Sequence, residues 1–369
     1  MKGRKLLMIP GPIEFEPEVL AAMSIPTQSH VAPHFIESFG SALEMMRKVW
    51  LTPTGQPFII AGTGTLAMDI AGSNLIEQGD KALVISTGYF GTRFADLLKR
   101  YGAEVDVLEA KTGEIVSLED IENALKNKPY KLLTFTHVDT STGVRTNAKS
   151  IAKLAQQHNV LSVLDGVCSV AGEEIRQEEW GIDVVLTASQ KAIGVPPGLA
   201  LLVVSQKAIE CWKNRKTPVT NYYADWHNWL PIMKAYEERK PSYFGTPAVN
   251  LVLALEVSLK QILQEGMDTR FQRHDCLAKQ FRNEMKNLGL TFLPVKEEIS
   301  ANTLSAIYYP ENTNGAEFLS KIAKTGVILA GGLLPSMKGN YFRVGHMGSV
   351  NENDISATVN AIKNYGIAP

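Results

Sequence analysis

The sequence predicts an α/β fold: a large domain with a mainly parallel sheet covered by helices, followed by a small C-terminal α+β domain. Between residues 58 and about 205, short runs of β-forming residues alternate with helical patterns. These runs are apolar on both faces, which is typical of a parallel sheet buried under helices on both sides. After residue 205 the pattern changes, and helical periodicity dominates from 226 to 288. This change within a chain of 369 residues predicts two domains.

Six strands are predicted in the first part of the chain: FIIA (58–61), ALVIS (82–86), EVDVLEA (104–110), KLLTFTHV (131–138), VLSVLD (160–165) and DVVLTASQ (183–190). Helical patterns lie between most of them, and two of these helices carry end signals. Gly102 predicts the C-terminal end of FGTRFADLLKRYG, because glycine readily adopts the left-handed conformation found there. Ser117, followed by Asp120, predicts the N-cap and the acidic first turn of SLEDIENALKN.

The last part of the chain predicts a smaller mixed unit. The short strands TLSAIYY, VILA and YFRVG surround two helices, GAEFLSKIAKTG and NENDISATVNAIKNYG. A unit of this size can form a hydrophobic core of its own. We therefore divide the chain into an N-terminal arm (1–15), a large domain (16–259) and a small C-terminal domain (260–369).

Composition and charge argue against several classes of function. The chain carries 37 basic and 38 acidic residues, a net charge of -1, so it lacks the field that holds nucleic acid or an acidic membrane. No apolar run approaches the ~20 residues that span a bilayer. Cys168, Cys211 and Cys276 lie far apart with no CxxC spacing, which argues against a zinc site or a disulfide framework and indicates a reducing compartment.

Targeting signals are weak at both ends. The opening segment MKGRKLLMIPGPIEF has a basic tip, but Pro10, Gly11 and Pro12 interrupt its apolar run, so it is a poor signal peptide. The ending Ile367–Pro369 is not the SKL type that addresses proteins to peroxisomes. We expect a cytoplasmic protein, and the sequence leaves a peroxisomal or mitochondrial location open.

The residues that follow the predicted strands are candidates for a site, because ligands of open α/β sheets lie beyond the carboxyl ends of the strands. The strand FIIA is followed by Gly62, Thr63, Gly64 and Thr65, and then at once by a helix. Glycine lets the backbone approach an anion and the helix N-terminus supplies free N–H groups, so a phosphate would fit there. The pattern is neither GxGxxG nor GxxxxGK(S/T), and a plain tight turn is the alternative.

Four further strands lead to chemically informative residues. ALVIS precedes Tyr89 and Phe90, rings that either pack in the core or stack on a flat cofactor, and KLLTFTHV leads into a polar loop that contains Thr140. VLSVLD ends in Asp165, a carboxylate that must find a partner or lie in a site. DVVLTASQ leads to Lys191, which has small and apolar neighbours. This lysine either reaches out to solvent or is a neutral amine able to form a Schiff base.

One cofactor needs all these parts together. Pyridoxal phosphate requires a lysine for its aldehyde, an acidic partner for its pyridine nitrogen, a phosphate cradle and a flat surface for its ring. Each signal alone is weak, but five of them follow strands at one predicted edge of the sheet. We therefore predict two catalytic residues: Lys191 as the Schiff-base lysine and Asp165 as the partner of the pyridine nitrogen.

The same residues carry a resemblance to a known family. The segments that carry it run through nearly the whole chain: PGP (10–12), AGTGT, TGYFGTRFAD, THVDTSTGV, LDGVCS, WGID, SQKAIGVPPG, YFGTP and RVGHMG. With them the sequence resembles the fold-type I, class V aminotransferases, most closely the alanine–glyoxylate (serine–pyruvate) aminotransferases and especially their fungal-like members. SQK before a Pro-Pro-Gly turn, downstream of a strand-ending Asp, is highly specific for this family.

The resemblance implies a set of site residues and no metal. The cofactor would be held by Thr63, Gly64, Thr65, Phe90, Thr140, Asp165, Gln190, Lys191, Tyr243 and Thr246. Among these, Tyr243 and Thr246 would reach the phosphate bound by the neighbouring subunit of a homodimer. Arg343 would grip the substrate carboxylate with its planar fork of donors. Gly11, in the PGP segment, would lie near that carboxylate.

The implied reaction is transfer of the amino group of L-alanine to glyoxylate, giving pyruvate and glycine, a route of glycine biosynthesis. It would proceed in two ping-pong half-reactions through an aldimine on Lys191. Serine–pyruvate or serine–glyoxylate transamination is the alternative, because serine differs from alanine by one hydroxyl. No second arginine on a matched motif is available for a distal carboxylate, although Arg93 and Arg145 lie outside the residues assigned a role.

Other functions fit the sequence less well. A cysteine desulfurase would carry His where Gln190 precedes the lysine, and a nucleophilic Cys near the small domain, yet no Cys follows Cys276. Phosphoserine aminotransferase fits the PGP opening and the SQK context less well. A scaffold without cofactor would have lost Lys191, Asp165 or Arg343, and all three are present.

Overall fold

The computed structural model describes residues 5–365, so residues 1–4 and 366–369, which include the C-terminal tripeptide weighed above as a targeting signal, lie outside the described residues. Its helices are α1 (Pro17–Met23), α2 (Pro33–Val49), α3 (Gly64–Leu75), α4 (Tyr89–Arg100), α5 (Leu118–Asn127), α6 (Ala148–Gln157), α7 (Gln177–Trp180), α8 (Gln206–Lys213), α9 (Trp226–Glu237), α10 (Val249–Glu265), α11 (Met267–Asn287), α12 (Gly315–Lys324) and α13 (Glu352–Lys363). Its strands are β1 (Leu6–Leu7), β2 (Gln56–Ala61), β3 (Lys81–Ser86), β4 (Glu104–Glu109), β5 (Leu132–Thr136), β6 (Leu161–Asp165), β7 (Val184–Ala188), β8 (Leu199–Val204), β9 (Leu304–Tyr308), β10 (Val327–Ile328), β11 (Ala330–Gly331) and β12 (Tyr341–Gly345).

The large sheet has seven strands in the order β2-β8-β7-β6-β5-β3-β4. Six of them run in the same direction, whereas β8 is antiparallel to both of its neighbours, β2 and β7. The predicted mainly parallel sheet is confirmed. The reversed strand β8 was not among the six strands predicted. Residues 189–198, which join β7 to β8, are too few for the crossover that a parallel strand needs, so the chain returns antiparallel.

Helices bury the middle of this sheet. The strands β5, β6, β7 and β8 are buried along their whole length, as expected for strands that are apolar on both faces. The helix α3 packs on β7 and β8, α6 on β6, and α2 and α9 on β2. The edge strand β4 pairs only with β3 and keeps exposed charged residues at both ends. The helical cover therefore leaves the strand ends as the accessible edge of the sheet.

A second hydrophobic core surrounds the antiparallel sheet β11-β12-β9. It contains buried aromatic rings from α11, α12 and β12, namely Phe281, Phe318 and Phe342. The strand β1 pairs in parallel with β10, so the start of the chain joins this second unit. The domain boundaries at residues 15 and 259 stay predictions, and α10 passes through the second of them without a break.

Local end signals act as the sequence predicts. The Ser117 hydroxyl caps α5 by accepting a hydrogen bond from the Asp120 amide at 3.0 Å. Gly102 follows α4 with a φ of +87°, in the left-handed region that glycine tolerates. Within residues 5–365, no helix is long and apolar enough to cross a membrane. The cytoplasmic location stays a prediction.

Candidate active site

The carboxyl ends of five strands with the same direction, β2, β3, β5, β6 and β7, lie along one edge of the large sheet. Asp165 is the last residue of β6, and the residues that follow the other four strands include Thr63, Phe90, Thr140 and Lys191. Residues from widely separated parts of the sequence thereby meet at one edge, which is where open α/β sheets bind ligands.

Lys191 lies against the N-terminal segment of the chain. Its Nζ donates a hydrogen bond to the carbonyl of Pro10, and the Ile13 amide donates to the carbonyl of Gln190 at 3.2 Å. Gly11 has a φ of +115°, and a Cβ at this position would lie 2.7 Å from Lys191 Cδ and 2.8 Å from Nζ. The structure thus brings the predicted residue Gly11 directly against the lysine side chain, where only glycine leaves room.

The Lys191 side chain is partly buried, and its amine is held against the Pro10 carbonyl. Burial lowers its pKa below the ordinary value, because desolvation disfavours the ammonium form. The positive charge of Arg343 lowers the pKa further, whereas Cys168 and Asp165 raise it. An amine with a lowered pKa carries a free electron pair closer to neutral pH, as a nucleophile or a base requires.

Asp165 ends β6 as a buried carboxyl group. Desolvation raises its pKa from 3.8 to about 7, the neighbouring Asp139 raises it too, and the hydrogen bond from the Val167 amide at 3.0 Å opposes this shift. Lys191 and Arg93 also lower the pKa, but by less than burial raises it. The nearby cations therefore do not offset the cost of burying the ionised carboxylate.

The loop after β2 approaches the strand ends of Asp165 and Lys191. Thr63 precedes α3 as its N-cap residue. The predicted helix is confirmed, but it begins at Gly64, two residues before the predicted start at Leu66. A Cβ on Gly64 would lie 2.8 Å from Val167 Cγ2 and 3.3 Å from Ala188 Cβ. The free N–H groups of the first turn of α3 therefore open beside the ends of β6 and β7. Thr65 is exposed, and its hydroxyl accepts a hydrogen bond from Arg93 at 3.4 Å.

Asp139 is a site residue to which the sequence analysis gave no role. Its carboxylate accepts hydrogen bonds from the Phe90 amide at 3.1 Å and from the Ser141 amide at 2.9 Å. The Ser141 hydroxyl in turn accepts from the Tyr89 amide at 3.1 Å. Asp139 thus fixes the segment that carries Phe90. Its place just after a buried strand, like that of Asp165, was the available signal.

Arg343 connects the second unit to the loop after β5. Its Nη1 donates to the Thr140 carbonyl at 3.1 Å and its Nε donates to the Gly331 carbonyl at 2.8 Å. Its Nη2 makes no hydrogen bond to any of residues 5–365. Burial lowers the pKa of the guanidinium from its ordinary value, whereas Tyr341, Cys168 and Asp139 oppose this shift. The Nη2 group of this arginine therefore remains available to donate a hydrogen bond to an anion.

Tyr341 also reaches this loop and was missed in the sequence analysis. Its buried hydroxyl donates to the Ser141 carbonyl at 2.6 Å and accepts from the amides of Leu333 at 2.8 Å and Leu334 at 3.0 Å. Tyr341 lies two residues before Arg343 on β12, so both side chains leave the same face of the strand. That spacing was the available signal.

Three predicted residues are not drawn into this cluster by hydrogen bonds. Gln190 Oε1 is buried and has no partner among residues 5–365. Tyr243 and Thr246 lie in the exposed loop between α9 and α10. The Tyr243 ring is 63% exposed and lies 5.2 Å from the His30 ring. No described contact joins either residue to Thr63 or Thr65.

Other polar residues near the strand ends are engaged elsewhere. His346 contacts Ser305 Oγ at 3.0 Å and the Asn302 carbonyl at 2.9 Å, and burial lowers its pKa to about 3. Arg145, which the sequence left open for a distal carboxylate, forms an ion pair with Glu173 at 3.0 Å. Among the described residues, no group of three or more His, Cys, Asp or Glu side chains is arranged to hold a metal ion.

Comparisons with known proteins point to one family over nearly the whole length of the chain. The family model of class V aminotransferases matches residues 21–342. Alanine–glyoxylate aminotransferase 1 of Saccharomyces cerevisiae is 39% identical over 361 residues, covering 94% of this chain and 93% of the relative. Serine–glyoxylate aminotransferase of Arabidopsis thaliana is 32% identical over 356 residues, covering 95% and 88%. The crystal structure of alanine–glyoxylate aminotransferase from Nostoc sp. has a TM-score of 0.92 at 31% identity, covering 99% of this chain and 96% of that chain.

Replacing Gly11 by alanine should weaken covalent uptake of pyridoxal phosphate by Lys191 about tenfold, or about 1.4 kcal/mol. The added Cβ would collide with the lysine, and alanine is strained at a φ of +115°. Uptake is measured as borohydride-trapped cofactor against cofactor concentration. Gly194→Ala is the control, because Gly194 also has a positive φ, +75°, but its Cβ would meet nothing closer than 3.8 Å. Equal losses in both variants would contradict the collision.

Asp165→Asn should stabilise the cofactor-free protein near neutral pH. The native carboxyl keeps its proton up to a pKa of about 7, whereas the unfolded chain releases it near 3.8, so wild-type stability falls between these values. The loss is at most about 1.4 kcal/mol per pH unit, and asparagine avoids it. Urea unfolding from pH ~5 to ~7 should show the advantage of the variant growing with pH. Asp96→Asn, on the exposed side of α4, is the control, and parallel curves for all three proteins would refute the raised pKa.

Proposed function

This chain belongs to the class V aminotransferases, which are pyridoxal phosphate-dependent transaminases, and from that premise we propose that it transfers the amino group of L-alanine to glyoxylate. The products would be pyruvate and glycine. One observation carries the proposal: Arg343 is the arginine whose charge acts on the Lys191 amine, and it keeps a free donor. Arg145 is paired with Glu173, and Arg93 donates to Thr65 and Tyr89. This distribution of cations favours substrates with a single carboxylate.

The residues at the strand ends fit pyridoxal phosphate. The first turn of α3 offers free N–H groups to a phosphate, and Gly64 leaves space there that a Cβ would fill. Within residues 5–365, Gln190 Oε1 is a buried acceptor without a partner, and the Asp165 carboxyl accepts only a backbone hydrogen bond. Buried polar groups of this kind are usually satisfied by a ligand or water. When bound, the cofactor supplies an electron sink for the bond that breaks at the substrate Cα.

We assign the two catalytic roles to Asp165 and Lys191. A cationic ring nitrogen beside Asp165 would lower the pKa of its carboxyl from about 7, so the ionised carboxylate would hold the proton on that nitrogen. Lys191 Nζ would link the cofactor and, once the substrate amine has displaced it, its free amine with the lowered pKa would take the proton from the substrate Cα. Thr63, Gly64, Thr65 and Gln190 are proposed to hold the phosphate, with Phe90 stacked on the ring and Thr140 bonded to the cofactor.

Arg343 is proposed to bind the carboxylate of amino donor and acceptor in turn. Its hydrogen bonds to the carbonyls of Thr140 and Gly331 fix the plane of the guanidinium. A carboxylate that adds to the free Nη2 would form a charge-assisted hydrogen bond. Gly11 borders the same space, because its Cα faces the Lys191 side chain. A bulkier residue there would narrow the room for the substrate.

Serine is the second candidate donor. Cys168 lies beside the site, since its thiol influences both Lys191 and Arg343 and is 4.0 Å from Thr303 Oγ1. These polar groups would tolerate the serine hydroxyl, and an apolar pocket rejects an added hydroxyl only by about 100-fold. The Arabidopsis relative is a serine–glyoxylate aminotransferase, whereas the yeast relative acts on alanine and glyoxylate by its name. Cysteine desulfurase is disfavoured, because Cys276 is an exposed residue within α11.

We further propose a homodimer in which Tyr243 and Thr246 complete the site of the other subunit. Both residues are exposed, as expected for side chains that face a partner. Large apolar side chains are exposed in two other segments. The first is next to His30, whose ring lies 5.2 Å from that of Tyr243, and contains Leu20, Met23, Ile25 and Val31; the second contains Tyr222 and Tyr223. Exposed apolar surface of this kind marks interaction sites.

A panel of amino donors tests the proposed substrate. With glyoxylate as acceptor, kcat/KM for alanine should exceed that for aspartate or glutamate by about 100-fold, because a distal carboxylate would be desolvated without a cation. Serine should lie between them. Turnover is followed by glycine formation, and each half-reaction by loss of the visible absorbance of the lysine-bound cofactor.

Two controls accompany this panel. Arg343→Lys should raise KM for every donor by a similar factor, since all share the α-carboxylate. Cysteine is included as donor, and release of sulfide would point to a desulfurase. Faster turnover of glutamate than of alanine, or a cofactor form that glyoxylate cannot discharge, would overturn the proposed substrate pair.

Mixing two inactive variants tests the shared site. Lys191→Ala removes the linking amine, and Tyr243→Glu would set a carboxylate against the phosphate of the partner's cofactor. In a two-fold dimer of both chains, one of the two sites is intact, so an equal mixture after subunit exchange should regain roughly a quarter of the wild-type activity. Lys191→Ala mixed with itself is the control. No recovery despite proven exchange would exclude Tyr243 from the partner's site.

A further inference from the structure

Arg270 of α11 is a buried arginine that binds three separate segments of the chain. It is only 6% exposed, and its Nη1 forms an ion pair with Glu265 at 2.7 Å. Its Nε donates to the Ala171 carbonyl at 2.7 Å and its Nη2 donates to the Ala192 carbonyl at 2.8 Å. Burying a guanidinium is costly unless its donors are satisfied, and here all three nitrogens are engaged.

The two carbonyls belong to the loops that carry the proposed catalytic residues. Ala192 is the residue after Lys191, and Ala171 lies in the turns that follow Asp165. Ala171 has a φ of +63°, a left-handed conformation that costs a non-glycine residue free energy. Such a conformation persists where surrounding contacts hold it, and Arg270 supplies one at the Ala171 carbonyl.

Neighbouring contacts make the lysine loop dependent on the same helices. The Ser258 hydroxyl of α10 donates to the Ile193 carbonyl, next to the carbonyl that Arg270 binds. The Gly194 amide donates to the Lys191 carbonyl at 2.8 Å and closes a turn. Side chains of α10 and α11 therefore donate hydrogen bonds to the two consecutive carbonyls that follow Lys191. These helices thereby fix the backbone of the Lys191 loop.

His274 extends this arrangement to the strand of Arg343. Its Nδ1 lies 2.8 Å from the Arg270 carbonyl and its Nε2 accepts from the Gly348 amide at 3.0 Å. The carbonyl can only accept and the amide can only donate, so the ring is the neutral tautomer with the proton on Nδ1. Gly348 follows β12 and Arg343. One helix, α11, thus contacts the loops of Lys191 and Asp165 and the segment after Arg343.

We propose that Arg270 is a positioning residue that fixes the Lys191 loop against the Asp165 loop through the carbonyls of Ala192 and Ala171. The proposal rests on the function proposed above, in which these two residues serve one cofactor. It needs the planar fork of arginine, because a lysine ammonium in place of Arg270 cannot reach two carbonyls and the Glu265 carboxylate in the same geometry.

Arg273 provides a matched control on the same helix. It shares the partner Glu265, with Nε at 2.6 Å from Oε1. Its remaining donors go to the carbonyls of Val350 and Gly348, both at 2.9 Å, and none goes to the loops of Lys191 or Asp165. A change at Arg273 therefore perturbs the ion pair with Glu265 without loosening those loops.

The test compares Arg270→Lys with Arg273→Lys as holoenzymes. Two properties are measured without substrate: the dissociation constant of pyridoxal phosphate and the visible circular dichroism of the bound cofactor, which reports its fixed orientation. Arg270→Lys should raise the dissociation constant about tenfold and weaken the dichroic band, because hydrogen bonds from a charged donor to the loops are lost. Arg273→Lys should leave both properties at their wild-type values. Wild-type behaviour of Arg270→Lys, or equal losses in both variants, would overturn the proposal.

Glu265→Gln covers the case in which Arg270→Lys does not fold. It removes the ion-pair partner of both arginines but leaves Arg270 able to bind both carbonyls. It should lower the unfolding temperature and leave the dichroic band unchanged, whereas loss of the band would refute the carbonyl contacts as the cause. Lys191→Ala is measured in parallel. If it still traps cofactor with borohydride, the proposed lysine assignment fails, a result distinct from any outcome at Arg270.

Discussion

The burial of the Lys191 amine is the constraint on which the rest of the site depends. An ammonium group is costly to take out of water, so this position requires an enclosure that favours the neutral amine. The N-terminal segment provides part of it: β1 pairs with β10, the Gly345 amide donates to the Met8 carbonyl at 3.0 Å, and the Pro10 carbonyl accepts from Lys191. Position 11 of this segment requires glycine, because no side chain fits there against the lysine.

The charges around Lys191 are incompletely compensated within the protein. The charge of Arg343 lowers the pKa of Lys191, and the charge of Asp139 raises the pKa of Asp165. Like charges placed together in a buried site favour ligands that bring the opposite charges. Pyridoxal phosphate with an amino acid brings anionic oxygens for the cations and a protonated ring nitrogen for the carboxylate. The electrostatics of the site therefore complement the whole reacting assembly rather than any one part of it.

Side chains of the second unit fix the site by binding backbone carbonyls of the large sheet's loops. Arg343 binds the Thr140 carbonyl, Tyr341 binds that of Ser141, and Arg270 binds that of Ala192. Through these hydrogen bonds, α11 and β12 fix the positions of the loops that follow β5 and β7, which carry Thr140 and Lys191.

The sequence by itself determined the α/β fold, most of the strands and the family, and it identified Lys191, Asp165 and Arg343 as candidates. These features can be predicted from local patterns: apolar runs of strand length, glycines at turns, and polar residues at or just after the end of a strand. It did not reveal the reversed strand β8, the role of Asp139, or the positions of Tyr341 and Arg270. Asp139, Tyr341 and Arg270 bind mainly backbone amides and carbonyls, which almost every residue carries, so side-chain patterns do not reveal which partners they bind. Only the tertiary structure, by bringing α11 and β12 against the strand ends, decides which carbonyls they meet and how the Lys191 amine is buried.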